Sequence, residues 1–566
     1  MKGIVASPGM ALASAYLVVQ PEIIVQERIV PDISGELERF RNALAECYSQ
    51  IENIIESMND AVDPQTAEIM DFQLLLLEDT DFINDIESVI SVQHVNAEYA
   101  VKTASNVYIS RLQCITDNDY LRERATDVAD LSQRLIAVLS GIIMDIAEPE
   151  KPYIAIGRDI ALSIVAGLDK GKLRGIILEN GGITSHCVIL SRSYGIPCLI
   201  ETSGILDYAE QGESILLDAV SGEVIRNPDD AHTQQYHEYI IREAGEKASL
   251  ERYVSCESKT LDGLEMKVFA NITMSAEAES VVRQGGEGVG LFRSELLYME
   301  QTGRPPSEEI QYTEYSKTAK ALGGKPLVIR TLDIGGDKQI DYLDMGKEDN
   351  PFIGYRAIRY CLNHPEIFKP QISAILRSGA DGNVWMMFPM ITCKSEIIAA
   401  KSIVKQIGEE LRAKGIPFDP DMKIGIMIET PAAAVDADIL AKEVDFFSIG
   451  TNDLSQFLFA ADRANAKLIH LNSPFQPTLL RTIQKVSAAA IKAGIEVDIC
   501  GQAAEVEALT PVWLAMGITN LSVSIQRITS VRKRICGLSK QNCDALLDTV
   551  INLETAEEVE LALKGK

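Results

Sequence analysis

The spacing of apolar positions changes twice along the chain and divides it into three regimes. Between residues 34 and 58, Leu37, Phe40, Leu44, Cys47, Tyr48, Ile51, Ile54, Ile55 and Met58 recur three and four apart. That spacing predicts an amphipathic helix. Asp63-Pro64 is a helix start, because proline at the first helical position sacrifices no intrahelical hydrogen bond. The pattern then runs on through LLLLEDTDFINDIESVI, and residues 96–112 and 119–139 continue it. The prediction is a four-helix region within residues 21–147, almost without strand signals.

The second regime is short and β-rich. Tyr153–Ile156, Leu173–Leu178 and Ile196–Ile200 are β-type runs, and ESILLDAVSGEVI (213–225) predicts a hairpin around Ser221-Gly222. The opening VASPGMALASAYLV reads as a strand pair of the same unit. Residues 1–20 plus 148–228 then form one β/α domain, with the helical region inserted into it. Residues 229–261 are polar and charged, as suits a connecting helix.

From residue 262 to 566, buried strands alternate with helices. Eight candidate strands are 266–271, 288–292, 326–330, 384–390, 424–429, 445–449, 496–500 and 520–523. Eight βα units in this length predict a closed (β/α)8 barrel, with an open doubly wound sheet as the alternative. The fold class is thus multidomain α/β. In a barrel, chemistry gathers at the C-terminal ends of strands.

Composition narrows the class. At 46% hydrophobic and 24% charged residues, the chain has the make-up of an ordinary globular protein. No apolar run reaches the length of a membrane span, and MKGIVASPGM lacks a signal-peptide core. Ten cysteines stand singly without a C-x-x-C pair, against a disulfide framework and consistent with a cytoplasmic protein. The net charge of −29 disfavours nucleic acid as a partner. Residues 21–147 hold 24 acidic and 8 basic residues, a solvated surface or a docking face for a basic protein.

Candidate chemistry falls at two places. His186, one of only six histidines, follows Gly181-Gly182 and Thr184-Ser185 in GGITSHCVIL. Taken alone it reads as a loop histidine capping a helix; its neighbouring hydroxyls can also fix its tautomer and leave the other nitrogen nucleophilic. The second place is the set of strand ends in the barrel. Arg293 and Arg330 end successive strands, with Arg356, Arg359 and Arg463 on later segments. Several converging guanidinium forks imply a small polyanion. Glu429 and Asp453 supply two carboxylates suited to Mg²⁺ beside a phosphate, and Asn452 adds an amide. Cys500, with Gly501 leaving room for a ligand, is a candidate acid at an ordinary thiol pKa near ~8.5.

The motifs ASPGMA, YLRERATDVADLSQRL, GGITSHCVILSR, GLFRSELLYM, TLDIGGDK, NPFIGYRAIR, MIETPAAA, SIGTNDLSQF and DICGQ occur in this order. Together they resemble the phosphoenolpyruvate-utilising enzymes, most closely the Enzyme I family of the bacterial sugar phosphotransferase system. The resemblance spans essentially the whole chain. It implies that phosphoenolpyruvate and Mg²⁺ bind at the barrel mouth. Arg293, Arg330, Arg356 and Arg463, with Asn452 and Asp453, would hold the substrate, while Glu429 and Asp453 would hold the metal. His186 would carry the phosphoryl group on Nε2, and Cys500 would protonate the enolate at carbon 3.

The resemblance further implies that the helical insert docks the small phosphocarrier protein HPr and that the barrel mediates a homodimer. Two positions depart from the family pattern: Gln502 replaces a glutamate after Cys500-Gly501, and Gln73 replaces a histidine in the helical insert. The rival readings are an ATP-coupled phosphoenolpyruvate synthase or dikinase and a regulatory binding protein without turnover.

Overall fold

The computed structural model describes residues 1–564 apart from 19–22, 58–63, 114–118, 143–148, 161–163, 166–167, 170, 183–185, 302, 336–339, 344, 347 and 464. It divides into two compact units, Met1–Ala244 and Gly245–Lys566.

The first unit holds a seven-stranded sheet and a helical bundle. The strands are β1 (Ile4–Ser7), β2 (Met10–Leu17), β3 (Tyr153–Gly157), β4 (Leu173–Leu178), β5 (Cys198–Ile200), β6 (Ser214–Asp218) and β7 (Glu223–Arg226), in the order β1-β5-β4-β3-β2-β6-β7. The hairpin at 213–225 is present as β6 and β7, with Gly222 at φ +80°, a conformation glycine adopts without strain. The opening strands, however, do not pair with each other. β1 runs antiparallel to β5, while β2 lies between β3 and β6. Gly9 explains the divergence: at φ +139° the chain turns away, packed so closely on Pro197 that a Cβ would sit 2.8 Å from its ring.

The helices between β2 and β3 number five among the described residues: α1 (Ile33–Ser57), α2 (Pro64–Glu78), α3 (Thr80–Gln93), α4 (Ala97–Gln113) and α5 (Asp119–Leu139). The run expected as one helix through LLLLEDTDFINDIESVI is broken at Asp79, whose carboxylate accepts the Phe82 N–H at 2.7 Å and caps α3. The helical spacing is a burial pattern: Phe40, Cys47 and Ile51 of α1 meet Phe82, Ile86 and Ile90 of α3 in one core. Met58 and Asp63 lie outside the described residues. The polar segment after the sheet forms the helix Asp230–Glu251, which crosses the boundary between the two units.

The second unit is a closed, all-parallel barrel of β8 (Lys267–Ile272), β9 (Val289–Arg293), β10 (Leu327–Arg330), β11 (Val384–Phe388), β12 (Ile424–Ile428), β13 (Phe446–Ile449), β14 (Glu496–Ile499) and β15 (Asn520–Val523). The open-sheet alternative is excluded, because β15 pairs with β8 and β8 with β9. Alternate residues serve two cores. Val497, Ile499, Phe447 and Ile449 pack outward against the helices, while Leu291, Val328, Trp385, Met387, Met427, Phe446 and Cys500 fill the interior. Among the described residues no helix is long and apolar enough to cross a membrane.

Candidate active site

Arg293 and Arg330 are Cα partners in the paired strands β9 and β10, so they reach the barrel mouth side by side. Their environments differ. Arg293 is exposed and forms no ion pair with any described residue. Arg330 is buried, with Nη2 2.5 Å from Glu295 and Nη1 2.9 Å from Asp333. Burial works against its charge, but Glu295, Asp333 and Glu429 outweigh that cost and hold the guanidinium charged.

Asp333 links a second arginine. Its other oxygen lies 2.7 Å from Arg356 Nη2, which stands 3.7 Å from Asp453. Arg463 approaches the opposite oxygen of Asp453 at 2.8 Å. Backbone geometry makes this convergence possible. Gly335, at φ +124°, lies so close to Arg356 that a Cβ would stand 2.3 Å from the arginine's own Cβ. Ala357 carries φ +54°, an uncommon conformation for a residue with a side chain and one that collects at functional sites. Arg359 is used differently, donating to the carbonyls of Ile353 and Gly354 outside the cluster.

Glu429 follows β12, and Thr430 immediately caps the helix Pro431–Val435 by accepting the Ala433 N–H. The chain therefore turns sharply and leaves Glu429 facing the mouth. One carboxylate oxygen accepts the Met390 N–H at 2.6 Å, and Met390 itself sits at φ +54°. Burial, then Asp333 and Asp453, push the Glu429 carboxyl up to about 8, with Arg330 opposing. Asp453 and Asn452 lie in the first turn of the helix Thr451–Phe459, directly after β13. Asn452 Oδ1 accepts the Gln502 backbone N–H at 3.0 Å, so its amide group is oriented by the main chain of residue 502 and not by its side chain.

Cys500 follows β14 and is buried, its thiol directed at the Ile449 carbonyl at 3.6 Å. Two sequence expectations change here. Burial, reinforced by Asp498, pushes the thiol up to about 12 instead of an ordinary value, so it is firmly protonated. The space beside Gly501 is taken by Thr451, whose Oγ1 would be 2.0 Å from an added Cβ, and not by room for a ligand.

His186 belongs to the other unit. It is the first residue of the helix His186–Ser193, where a loop position was expected. Cys187, Val188 and Leu190 bury that helix, and Arg192 ties it to β1 through the Ala6 carbonyl at 2.7 Å. Thr184 and Ser185 lie outside the described residues. Gln73 is buried in α2, with its Oε1 unpaired among the described residues.

The mouth therefore joins four carboxylates to three bound arginines and a free fourth. Sequence reasoning missed Glu295 and Asp333, both inside motifs read for their arginines; the signal was a carboxylate two or three residues after an arginine at a strand end. Three buried donors remain unspent: Arg330 Nε, Arg356 Nε and Arg356 Nη1. Buried donors without partners are costly, and an anionic ligand satisfies them. Among the described residues no cluster of three or more His, Cys, Asp and Glu side chains is arranged to hold a metal alone. Mg²⁺ needs less, since one or two carboxylates suffice when substrate oxygens and water complete its shell. Glu429, its carboxyl pushed up by burial and then by its acidic neighbours, is a site where a cation would displace a proton.

Three profiles of phosphoenolpyruvate-utilising enzymes match the chain: the N-terminal domain over residues 2–124, the mobile domain over 149–222 and the phosphoenolpyruvate-binding domain over 247–539. A phosphoenolpyruvate-protein phosphotransferase of Priestia megaterium is 37% identical over 562 residues, covering 99% of this chain and 97% of its own. A Staphylococcus carnosus protein of the same name is 38% identical with the same coverage. A third, from Staphylococcus aureus, is 37% identical over 99% of this chain and 98% of its own. The chain belongs to the phosphoenolpyruvate-utilising enzyme family.

Proposed function

We propose that the chain is a phosphoenolpyruvate-protein phosphotransferase, moving the phosphoryl group of phosphoenolpyruvate to His186 and then to a histidine of the carrier HPr, with release of pyruvate. One observation carries the reading: the motifs that build the barrel-mouth cluster lie in a chain that aligns end to end with relatives of that name. Arg293, Arg330, Arg356 and Arg463 bind the phosphate and carboxylate of the substrate, Asn452 offers its amide, and the unspent donors of Arg330 and Arg356 point to where charge has to be neutralised. Glu429 and Asp453 hold Mg²⁺, which supplies Lewis-acid neutralisation of the phosphoryl oxygens. His186 accepts the group at a helix start, where the helix dipole favours added negative charge. Cys500, kept as a thiol, donates its proton to carbon 3 of the enolate. The acidic helical insert docks the carrier, the barrel mediates a homodimer, and the protein works in the cytoplasm.

Incubation with phosphate-labelled phosphoenolpyruvate and Mg²⁺, without ATP, tests this. The expected result is acid-labile, base-stable label on His186, absent from a folded His186→Ala variant. Label that requires ATP, or that persists on the variant, sinks the reading.

A further inference from the structure

Where β9 leaves the barrel sheet, side chains take over from its backbone. Arg293 ends β9, Ser294 follows, and the helix Glu295–Met299 begins. β10 stays in the sheet one step longer, with the Thr331 N–H donating to the Met387 carbonyl of β11 at 2.9 Å. The Arg330 carbonyl and the Leu332 N–H point to the opposite edge, because successive residues of a strand bond to alternate sides. There the Ser294 hydroxyl donates to the Arg330 carbonyl at 2.8 Å, and Gln371 Oε1 accepts the Leu332 N–H at 2.9 Å.

Gln371 lies within the helix Pro365–Ser378 and, like Ser294, is fully buried. A backbone N–H can only donate, so the amide oxygen has to face Leu332 and Nε2 is turned to two acceptors. These are Ser294 Oγ at 3.1 Å and the Tyr315 hydroxyl at 3.4 Å. Tyr315 donates in turn to Gln311 Oε1 at 3.3 Å, which also accepts the Tyr298 hydroxyl at 3.2 Å. Tyr298 stands near the end of the helix that Ser294 opens, so that short helix is held at both ends. Both polar atoms of Gln371 are thus engaged, and a satisfied buried network of this kind rigidifies one arrangement of its partners. The segments it joins carry the barrel-mouth site. Glu295, beside Ser294, pairs with Arg330, and Asp333, beside Leu332, bridges Arg330 and Arg356.

We propose that Gln371 is a positioning residue that sets the spacing between Arg293 and Arg330, and with it the fit of the mouth to a substrate carrying both phosphate and carboxylate. The inference rests on the phosphoenolpyruvate reading given above. Gln371 acts through the Ser294 hydroxyl and the Leu332 main chain, not on the substrate itself. The position calls for an amide because it has to accept from Leu332 and donate to Ser294 at once. A carboxylate cannot donate, and an apolar side chain can do neither. A changed spacing weakens the grip on the anion in the ground state and the transition state alike, so its loss falls on KM more than on kcat.

The test measures steady-state pyruvate release by the full-length enzyme with Mg²⁺ and excess HPr while phosphoenolpyruvate is varied. In Gln371→Leu, KM for phosphoenolpyruvate should rise at least about tenfold while kcat stays within about threefold. Ser294→Ala should move KM the same way, and it decides the matter if Gln371→Leu does not fold. The double variant should exceed the larger single effect by less than about twofold, because both changes break one chain of hydrogen bonds. Leu376→Ala, in the same helix and the same apolar core, controls for lost stability. Its urea midpoint should fall, yet its KM should remain that of the wild type. An unchanged KM in Gln371→Leu or, should that variant not fold, in Ser294→Ala overturns the positioning role. So does a rise matched by Leu376→Ala, or a double variant whose effect is the product of the two single ones. If the wild-type enzyme itself releases no pyruvate from phosphoenolpyruvate, the underlying reading fails. If it does and the variants keep its KM, only the role of Gln371 falls.

Discussion

Asp333 holds two arginines with one carboxylate, and that sharing makes its removal informative. Asp333→Asn leaves Arg330 with Glu295 and Arg356 with Asp453, so neither cation is abandoned, but both lose the group that fixes them relative to each other. We expect phosphoenolpyruvate-dependent labelling to fall by one to two orders of magnitude, about 1.4–2.8 kcal/mol of transition-state stabilisation. An initial-rate titration with phosphoenolpyruvate checks this; a wild-type rate would show that Asp333 does not position the pair. Glu429 yields a prediction about pH. Its folded pKa lies above that of the unfolded chain, so the native state binds the extra proton between about 4.5 and 8. Stability from this group is therefore present below the unfolded value and lost as pH rises through the folded one. Without metal, Glu429→Gln should melt at higher temperature than the parent at pH 9, with the difference closing toward pH 4. Thermal unfolding across that range reads it directly. The same change should abolish Mg²⁺-dependent labelling, because an amide supplies no charge to the cation. These residues differ in how far the sequence revealed them. Arginines at strand ends announce an anion site, whereas the pKa of Glu429 depends on its burial and on Asp333 and Asp453 closing in from segments that follow other strands, which no local pattern encodes.

At the level of elements, the sequence exposes those whose burial is periodic and conceals those set by a single contact. The eight barrel strands were legible because strands covered by helices read as continuous apolar runs. The break between α2 and α3 was not, since one Asp79 side chain decides it inside an unbroken apolar pattern. The separation of β1 from β2 was hidden for a similar reason: VASPGMALASAYLV reads as a strand pair, and only the packing of Gly9 on Pro197 shows the chain leaving. Gly501 is the position where element geometry and chemistry meet. It lets the end of β14 touch the start of the helix Thr451–Phe459, so Cys500, Asn452 and Asp453 share one mouth. An alanine there would place a methyl 2.0 Å from Thr451 Oγ1 and 2.7 Å from the Thr451 backbone nitrogen. Because the second contact is main chain, the helix itself has to shift. Gly501→Ala should cost about 1–3 kcal/mol and lower turnover more than its stability loss explains. Denaturation and labelling of the same preparation separate the effects, and native activity would mean that the approach of these elements is not critical.

Over the whole molecule, the residues assigned to the proposed reaction lie in two units with separate cores. His186 stands on a helix packed into the first unit, whose apolar cluster runs from β1 to β5, while the arginines and carboxylates rest on the barrel core of the second. The reaction assigned above needs one imidazole at the barrel mouth for phosphoryl uptake and beside the helical insert for delivery to the carrier. The proposed function has a single side chain serve both places in turn, which requires its domain to travel between them, a motion typical of the microsecond-to-millisecond range. The helix Asp230–Glu251 is the covalent link across the boundary, and cutting after it should divide the activities without destroying either core. A fragment of residues 1–255 keeps β1 to β7 and the five helices and should fold alone. It should exchange phosphoryl groups with phosphorylated HPr, measured by label transfer to His186, yet take none from phosphoenolpyruvate and Mg²⁺. Addition of the barrel fragment should restore uptake only weakly, because the tether's effective concentration is lost. Should the 1–255 fragment label itself from phosphoenolpyruvate, the substrate site would lie in the first unit, and the arginine cluster of the barrel would need another purpose.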